Sequence, residues 1–480
     1  MRQFKYLELA NQLKAEIDQG KWLAEEKLPS IRALALHYQL SKISVQKALH
    51  SLEARGLIYV KAKSGYYVSQ ALEQHNAPSN LLSISQPKHV EMPDVFYDIM
   101  ERGAAFDIAP PSHSNHQYTD HTASHLLLLN RHLSRAIRHK PTKNALYYSE
   151  PAGDLVLRQQ ISQHYRKRGL SVSADDICIT AGCQNSLFLA LISQCTAGDI
   201  VAVESPAFYG VLQLLQQLKL KVIELPSSTT TGVNAQSLAD AAAIWPIKAC
   251  ILTPSFATPS GAQIPDHQKQ AIIEVAQRHQ ITLIEDDIYG DLGFHNIVKP
   301  LKAFDQTGQV ILCGSLSKSL SRDLRLGWII AKQQKQKLVH IKLINQLATS
   351  QSIQQGVSSF IAEGHFERHL AQYRKTLLKQ RDQLIEALDK YWLRTLKLPI
   401  KFTVPDGGLA IWIELPKSVD TLALYHQAIK QNIVLTPGQL FTSTTSFSHQ
   451  LRLSFAHPTT GHRLEALKTL GELCKAAWRK

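Results

Sequence analysis

The chain has 480 residues, of which 44% are hydrophobic and 19% charged, so it is long enough to form more than one domain with a buried core. Its 53 Lys and Arg residues outnumber its 39 Asp and Glu residues, and the formal net charge of +14 suits a polyanionic partner. No run of 18 apolar residues occurs and the N-terminus has no signal-peptide core, so we expect a cytoplasmic protein without a membrane segment.

The cysteines and histidines show no metal-binding spacing. The six cysteines lack the paired spacing of a zinc site, and we expect them to be reduced and buried. The 21 histidines form no HExxH motif or similar cluster. The sequence therefore predicts no metal cofactor.

The N-terminal segment predicts three helices followed by a two-stranded ribbon. Apolar residues at helical spacing indicate an amphipathic helix from about residue 6 to residue 19. Pro29 and Ser30 suit the start of a second helix, and a tight turn leads to a third helix that begins at Ser41. Residues 56–68 read as the ribbon. This order of elements predicts a winged helix-turn-helix.

One motif makes this segment more specific. The pattern Leu-Pro-Ser-x-Arg at residues 28–32 resembles the GntR family of bacterial repressors. The resemblance implies that Arg32 contacts a DNA phosphate and that Lys61, Lys63 and Gly65 form the wing tip near the DNA backbone. It also places the start of the recognition helix in the major groove, with these residues: Ser41, Lys42, Ser44, Gln46 and Lys47. The alternative is that these side chains lie on a solvated helix face.

An isolated lysine follows a buried strand in the second part of the chain. Residues 310–313 form an apolar run, and Lys318 lies between serines in the small-residue turn that follows. A lysine in such a turn is, on its own, usually a solvated surface residue. Residues 314–328 resemble the Schiff-base lysine segment of fold-type I pyridoxal phosphate (PLP) proteins, which implies that Lys318 bonds the cofactor aldehyde.

PLP also needs an acid beside its ring nitrogen. Residues 281–284 read as a short buried strand with an acidic segment at its carboxyl end, where ligands of open α/β sheets bind. The resemblance implies that Asp286 pairs with the pyridine nitrogen and that Tyr289 hydrogen-bonds the ring hydroxyl. The alternative is an acidic turn that caps the next helix.

An anion site for the cofactor phosphate is predicted at a strand-turn-helix junction. Residues 177–180 read as a strand, and a tight turn with Gly182 leads to a helix from Asn185. A helix N-terminus offers free N–H groups, and glycine permits close approach of the anion. The resemblance assigns six residues to this site: Gly182, Cys183, Gln184, Ser315, Ser317 and Arg325.

Three further positions follow from the resemblance. Phe208 occupies the place of the ring that stacks on the pyridine, and a core phenylalanine is the alternative. Arg452 stands where aminotransferases hold the substrate carboxylate, and an edge-strand arginine in a structural ion pair is the alternative. Thr258 replaces the asparagine that commonly contacts the ring oxygen. This departure predicts weaker turnover, although we expect cofactor binding to remain.

The chain divides into three predicted parts. Residues 1–70 form the winged helix-turn-helix domain, and residues 71–105 form a linker rich in Ser, Pro, Gln and Asn with a short helical segment near residues 95–100. Residues 106–480 form an α/β fold-type I aminotransferase-like domain. Its large part spans about residues 150–350, and its small part comes from the N- and C-terminal segments.

Together the two motif sets resemble the MocR subfamily of GntR-type regulators. The resemblance implies a head-to-tail homodimer that binds a DNA operator. It also implies a PLP-dependent transcriptional regulator that senses an amine, an amino acid or PLP itself. The alternative is a catalytically active aminotransferase with a fused DNA-binding domain.

Overall fold

The computed structural model describes residues 5–18, 21–23, 26–54, 57–61, 64–68, 77–78, 83–91, 96–98, 107–109, 120–139 and 147–479. By its internal contacts the chain forms two compact units, Met1–Asn76 and Ala77–Lys480. Each unit has a buried hydrophobic core of its own. No helix in these ranges is long and apolar enough to cross a membrane.

The first unit contains the predicted three helices and ribbon: α1 (Lys5–Asp18), α2 (Ile31–His37), α3 (Lys42–Ala54), β1 (Ile58–Lys61) and β2 (Gly65–Val68). Ser30 caps α2, because its hydroxyl accepts a hydrogen bond from the Ala33 N–H at 3.2 Å. The strands β1 and β2 pair antiparallel. Leu13, Val45 and Leu49 are fully buried between the helices. The winged helix-turn-helix prediction is confirmed.

The second unit alternates strands and helices. Its helices are α4 (Asp120–Arg138), α5 (Leu155–Lys167), α6 (Cys183–Gln194), α7 (Tyr209–Gln217), α8 (Ala235–Ile244), α9 (Asp266–Arg278), α10 (Lys335–Gln346), α11 (Gln351–Ala362), α12 (His365–Ala387), α13 (Thr421–Ala428) and α14 (His462–Trp478). Its strands are β3 (Lys88–His89), β4 (Ile177–Thr180), β5 (Ile200–Ser205), β6 (Lys221–Ser228), β7 (Gly232–Val233), β8 (Ile247–Leu252), β9 (Thr282–Asp286), β10 (Val310–Ser315), β11 (Gly327–Ile330), β12 (Lys401–Phe402), β13 (Ala410–Glu414), β14 (Thr436–Pro437) and β15 (Gln450–Ser454).

A large mixed sheet organises this unit, with strand order β3-β6-β5-β8-β9-β10-β11-β4 and β7 paired to β6. The strands β6, β5, β8, β9 and β10 are parallel neighbours. β11 is antiparallel to both β10 and β4, so β4 runs in the same direction as the parallel set. The carboxyl ends of β4, β5, β8, β9 and β10 therefore lie along one edge of the sheet, where ligands of α/β sheets bind.

A smaller antiparallel sheet has the order β12-β13-β15-β14. The turn at residues 405–409 leads directly into β13. β15 lies between β13 and β14, so Arg452 is on an inner strand and the edge-strand alternative is wrong. The fold class, a winged helix-turn-helix followed by a fold-type I aminotransferase-like unit, is as predicted.

The described parts of the predicted linker pack into the second unit. β3 adds an antiparallel edge strand to β6, and the Thr229 hydroxyl donates to the Pro78 carbonyl at 2.9 Å. Residues 96–98 are helical, within the predicted short helix, and the Phe96 ring lies 5.1 Å from the Tyr209 ring. These residues bury apolar surface instead of remaining a solvated tether.

All six cysteines are free thiols. Five are buried as predicted, and Cys195 is the exception because it is half-buried.

Candidate functional site

The glycine turn after β4 is shaped to receive an anion. Gly182 has φ of +97° and precedes α6, which begins at Cys183, two residues earlier than the predicted start at Asn185. No side chain caps α6 within the described ranges, so its first N–H groups are available for an anion. A Cβ atom at Gly182 would lie 2.8 Å from Arg325 Nη2, and Arg325 donates to the Ala181 carbonyl at 3.2 Å.

The side chains of Cys183 and Gln184 form hydrogen bonds away from the anion site. Gln184 Nε2 donates to the Gly210 carbonyl at 2.7 Å, which ties α6 to α7. Cys183 Sγ donates to Asp286 Oδ1 at 3.1 Å. Cys183 and Gln184 therefore offer backbone N–H groups to an anion, while their side chains fix neighbouring elements.

The predicted acid lies at the carboxyl end of β9. Asp286 is buried, and this burial raises the pKa of its carboxyl to about 6, against the effect of the hydrogen bond from Cys183. When Lys318 is protonated, its charge favours the ionised form of the same carboxyl. The structure thus brings together Asp286, Cys183 and Lys318, which lie far apart in the sequence.

The predicted amine follows the carboxyl end of β10. Burial lowers the pKa of Lys318 well below its usual range, and Arg322 and Arg452 lower it further, whereas Asp286 acts in the opposite direction. The neutral amine, which is the nucleophilic form, is favoured as a result.

The two serines of the lysine loop form a compact hydrogen-bonded pair. Ser315 Oγ donates to the Leu326 carbonyl at 2.9 Å and lies 2.8 Å from Ser317 Oγ. A Cβ atom at Gly327 would meet the Gly182 backbone at 2.7 Å, so the lysine loop and the glycine turn are in close approach. The six predicted phosphate residues therefore belong to adjoining segments.

Phe208 follows β5 at the same edge of the sheet and directly precedes α7. Its ring is half-buried and contacts two hydrophobic clusters. Gly210 makes room for it, because a Cβ atom there would lie 2.5 Å from Phe208 Cε1. The ring is thus fixed in place and partly exposed.

Thr258 follows β8 and lines a small enclosed space together with Tyr289. Thr258 Oγ1 is buried beside the Tyr289 phenol, and within the described part of the chain no partner meets hydrogen-bond geometry. Burial raises the pKa of Tyr289, so its hydroxyl keeps its proton. A buried hydroxyl of this kind fits a polar atom of a bound molecule.

Arg452 is buried beneath two aromatic rings. Its guanidinium carbon lies 5.8 Å from the Tyr209 ring centroid and 5.5 Å from that of Phe441. Arg452 Nη2 donates to Thr436 Oγ1 at 3.0 Å. The head group is therefore held in one orientation, close enough to lower the pKa of Lys318.

A buried ion pair that the sequence reasoning missed supports the loop after Asp286. Both Arg168 Nη atoms donate to Asp287, at 2.5 and 2.8 Å, and the Tyr165 hydroxyl donates to the same carboxylate at 2.9 Å. Trp328 Nε1 donates to the Tyr165 hydroxyl at 3.1 Å. The signal was the Tyr-x-x-Arg spacing at the end of α5, but no local pattern pairs these residues with Asp287.

The first unit presents an exposed face on its recognition helix. Lys42, Gln46 and Lys47 on α3 are exposed, and so are Arg32 on α2 and Ser41 before α3. The Ser41 hydroxyl accepts the Ser44 N–H at 3.1 Å and lies 2.9 Å from Ser44 Oγ. Ser41 thus caps the helix as well as lying on this face.

Ile43 was missed by the sequence reasoning. Its side chain is 68% exposed in the first turn of α3, among the polar side chains of this face. An exposed apolar group in a recognition helix is suited to contact with a thymine methyl group.

The wing is stiffened by aromatic contacts. Lys61 Nζ lies 4.4 Å from the Tyr67 ring centroid, and the Tyr67 hydroxyl is 2.7 Å from Ser64 Oγ. Gly65 has φ of +125°, which a side chain would strain. Lys63 lies outside the described residues.

A winged helix-turn-helix joined to a fold-type I aminotransferase unit defines a class of DNA-binding regulators. Residues 5–68 match the model of bacterial regulatory proteins, gntR family, and residues 116–470 match that of aminotransferase class I and II. The chain belongs to the GntR family of HTH-type transcriptional regulators, in the MocR arrangement with an aminotransferase domain.

Curated relatives span the whole chain. It is 37% identical over 470 residues to the uncharacterized HTH-type transcriptional regulator YjiR of Escherichia coli (strain K12), covering 98% of each chain. The regulator YdcR of the same organism is 31% identical, also with 98% of each chain covered. The HTH-type transcriptional regulator NorG of Staphylococcus aureus (strain bovine RF122 / ET3-1) is 26% identical over 92% of this chain and 98% of its own.

Solved aminotransferases match the second unit. Kynurenine aminotransferase of Pyrococcus horikoshii, in complex with PMP, has a TM-score of 0.70 and 26% identity, covering 80% of this chain and 95% of its own. The alpha-aminoadipate aminotransferase LysN of Thermus thermophilus has a TM-score of 0.70 at 24% identity, covering 81% of this chain and 96% of its own, and shows the fold alone.

Proposed function

We propose that the chain is a PLP-dependent transcriptional regulator whose second unit senses an amine, an amino acid or PLP itself. One observation carries the proposal. The Gly182 turn, the Asp286 carboxylate and the Lys318 amine follow β4, β9 and β10 at the same edge of one sheet. These groups are an anion site, an acid and an amine, the three that PLP needs. The complex of the P. horikoshii relative with PMP supports the assignment.

The remaining residues fit the parts of this cofactor. When bound, PLP supplies an aldehyde and an electron-withdrawing ring. Ser315, Ser317 and Arg325 would bind the phosphate together with the N–H groups of Gly182, Cys183 and Gln184. Phe208 would cover a face of the pyridine, while the hydroxyls of Tyr289 and Thr258 would meet the ring oxygen. Asp286 would hold the ring nitrogen in its protonated form.

Arg452 is the proposed contact for an effector carboxylate. An arginine holds a carboxylate by two parallel hydrogen bonds, which lysine cannot reproduce. Its proximity to Lys318 would let one amino acid meet both side chains. A bound effector can change DNA binding only by its differential affinity for two states of the protein.

The first unit is the proposed operator-binding domain. Arg32 would contact a DNA phosphate, and Lys61, Lys63 and Gly65 would form the wing tip near the DNA backbone. Residues at the start of the recognition helix would lie in the major groove: Ser41, Lys42, Ser44, Gln46 and Lys47. Gln46 is the proposed adenine contact, because its amide has both a donor and an acceptor. We place the boundary between the DNA-binding and effector domains near residue 76, and the protein in the cytoplasm.

A homodimer is the proposed assembly. It would present two recognition helices to two half-sites of an operator. Tyr147, Tyr148 and Ile344 are each 78% exposed and are the proposed candidates for its contact surface.

An active aminotransferase is the second candidate function. The Lys318, Asp286 and Arg452 set is complete, and the second unit spans 95% of the P. horikoshii kynurenine aminotransferase. Incubation of the PLP-loaded protein with amino acids separates the two candidates. Steady formation of pyridoxamine phosphate and a keto acid identifies an enzyme, whereas a persistent complex without product identifies a sensor.

The regulator is tested by DNA binding. Fluorescence anisotropy with DNA from upstream of the gene is measured with and without PLP and a panel of amines, for wild type, Lys318→Ala and Arg32→Ala. We expect Arg32→Ala to lose DNA affinity while keeping PLP, and Lys318→Ala to bind DNA without responding to amines. DNA affinity that no ligand changes, in wild type and Lys318→Ala alike, contradicts the proposal.

A further inference from the structure

Two histidines and one glutamate converge at the corner between α11 and α12. His132 lies on α4, Glu363 directly follows α11 as its C-terminal cap, and His365 begins α12. His132 Nε2 is 3.5 Å from Glu363 Oε2, and His365 Nε2 is 3.3 Å from the same oxygen. The three candidate ligand atoms all lie within 4.8 Å of one another.

These separations suit one metal ion. Zinc bonds of about 2.0 to 2.1 Å in tetrahedral geometry place neighbouring ligand atoms roughly 3.3 Å apart. Two imidazoles with one carboxylate favour a borderline ion such as Zn²⁺, whereas Ca²⁺ and Mg²⁺ prefer oxygen ligands. We propose that His132, Glu363 and His365 bind one divalent transition-metal ion, with water as the fourth ligand. The Glu363 side chain is 49% exposed, so an ion can reach the site from solvent.

His132 is prepared to act as a ligand. Its Nδ1 lies 2.9 Å from Ser359 Oγ on α11, which leaves Nε2 directed at the other two ligands. A metal-bound histidine commonly has its second ring nitrogen held in this way.

Two arginines compete with an ion at this corner. Arg368 Nη2 lies 3.1 Å from His365 Nδ1, and a hydrogen bond donated there puts the imidazole proton on Nε2, the proposed ligand atom. Arg135 Nη1 is 4.0 Å from Glu363 Oε1. Metal binding therefore requires Arg368 to move away from His365, and the affinity is expected to increase when Arg368 is removed.

The ion would join α4 to α12, the helix that contacts the loop containing Lys318. His369, one turn after His365 on α12, is hydrogen-bonded through Nε2 to the Ser319 carbonyl at 3.0 Å. Ser319 directly follows Lys318. An ion at His365 would thus fix the first turn of the helix that holds this loop. The metal site itself does not depend on the proposed function, because none of the cofactor residues is a ligand.

The sequence predicts no metal site because these three residues have no local metal-binding spacing. His132 comes from a helix far from the Glu-Gly-His turn at residues 363–365, and two ligands at a helix corner match no known short motif.

The test uses full-length protein without a polyhistidine tag. Zn²⁺ affinity and stoichiometry are measured by calorimetry, and Co²⁺ is added as a visible-absorption probe of four-coordinate binding. We expect one Zn²⁺ per chain and a Co²⁺ band that Zn²⁺ displaces but Mg²⁺ does not. Glu363→Gln and His365→Gln should each lower the affinity at least tenfold. The Glu363 side chain is 49% exposed and the His365 side chain is 16% exposed, so circular dichroism is recorded for both variants and should show an unchanged fold.

Two further variants complete the Zn²⁺ titration: one is a control and the other should increase the affinity. His340→Gln removes an exposed histidine on α10 and should leave Zn²⁺ binding unchanged. Arg368→Ala should bind Zn²⁺ several-fold more tightly, because it frees His365 Nδ1 to carry the ring proton. No stoichiometric Zn²⁺ uptake by the wild type, equal uptake by Glu363→Gln, or unchanged binding by Arg368→Ala would each overturn the proposed site.

Discussion

The thiol of Cys183 donates a hydrogen bond to the Asp286 carboxylate, with 3.1 Å between Sγ and Oδ1. This contact joins the first residue of α6 to the last residue of β9. It connects the proposed phosphate turn directly to the proposed partner of the pyridine nitrogen. The thiol offsets part of the cost of burying this charge, since a hydrogen bond to the ionised form favours that form.

Replacing Asp286 by Asn should change cofactor affinity and stability in opposite directions. Burial raises the pKa of Asp286 from an ordinary 3.8 to about 6, so the cofactor-free protein loses stability as pH rises between these values and the loss is complete above about 6. Asp286→Asn should gain about 1 to 3 kcal/mol of unfolding free energy at pH 8 and nothing at pH 4. The same variant should bind PLP much more weakly.

Urea unfolding of the cofactor-free protein and a PLP titration measure the two effects. Asp406→Asn, on an exposed carboxylate, is the matched control and should change neither. An Asp286→Asn variant that loses stability and keeps its PLP affinity would show that Asp286 has a structural role instead.

The pH dependence of PLP binding should depend on Cys183. As pH falls through about 6, Asp286 in the free protein takes up a proton and loses its attraction for a protonated ring nitrogen, so PLP affinity should decrease. Cys183→Ala removes a hydrogen bond that lowers the pKa of Asp286. The decrease should therefore begin at a higher pH in Cys183→Ala, and Cys183→Ser should restore the wild-type profile. Superimposable profiles for wild type and Cys183→Ala would contradict this role.

The buried pair of His164 and Asp291 should make stability depend on pH in the alkaline range. Burial alone would lower the pKa of His164, but the Asp291 carboxylate at 2.8 Å outweighs it and raises the pKa from 6.5 to about 9. A raised pKa contributes stability that is complete below about pH 6.5 and is lost as pH rises through about 9. The contribution is at most about 3 kcal/mol.

Urea unfolding at pH 6.5 and pH 9.5 checks this expectation. His164→Gln should reduce stability at the lower pH and much less at the higher one. His267→Gln, which removes an exposed histidine in the first turn of α9, should leave the pH dependence as in the wild type. An equal loss at both pH values for His164→Gln would indicate lost packing only.

Two substitutions in the first unit should separate phosphate attraction from base recognition. Arg32→Ala should weaken binding to all DNA sequences alike and reduce the slope of log affinity against log salt by about 1. Gln46→Ala should cost about 1 to 3 kcal/mol for the preferred operator and relax its sequence preference. Affinity selection from random DNA, repeated at several salt concentrations, measures both. Identical sequence preferences for wild type and Gln46→Ala would exclude base contact by Gln46.

Elements governed by local signals were predictable. Ser30 caps α2, and the apolar segments predicted as strands near residues 177, 282 and 310 form β4, β9 and β10. The tight turn at Gly182 was predicted, but α6 begins at Cys183, two residues before the predicted start at Asn185. Helix boundaries depend on backbone geometry that single residues specify weakly.

Relationships between distant residues could not be predicted from patterns. The pairing of Arg168 with Asp287 joins a helix to a loop after β9, and no periodicity links them. Phe96 packs against Tyr209, so part of the predicted linker belongs to the hydrophobic core. Both contacts depend on the tertiary arrangement of the second unit, which overrides local composition.

The role of Lys318 is tested most directly by the visible absorption of the full-length protein mixed with PLP, for wild type and Lys318→Ala, before and after amines and amino acids are added. We expect the band of a lysine-bound cofactor in wild type only, and a shift of that band by some amine or amino acid. Identical spectra for wild type and Lys318→Ala with PLP in excess would contradict this role.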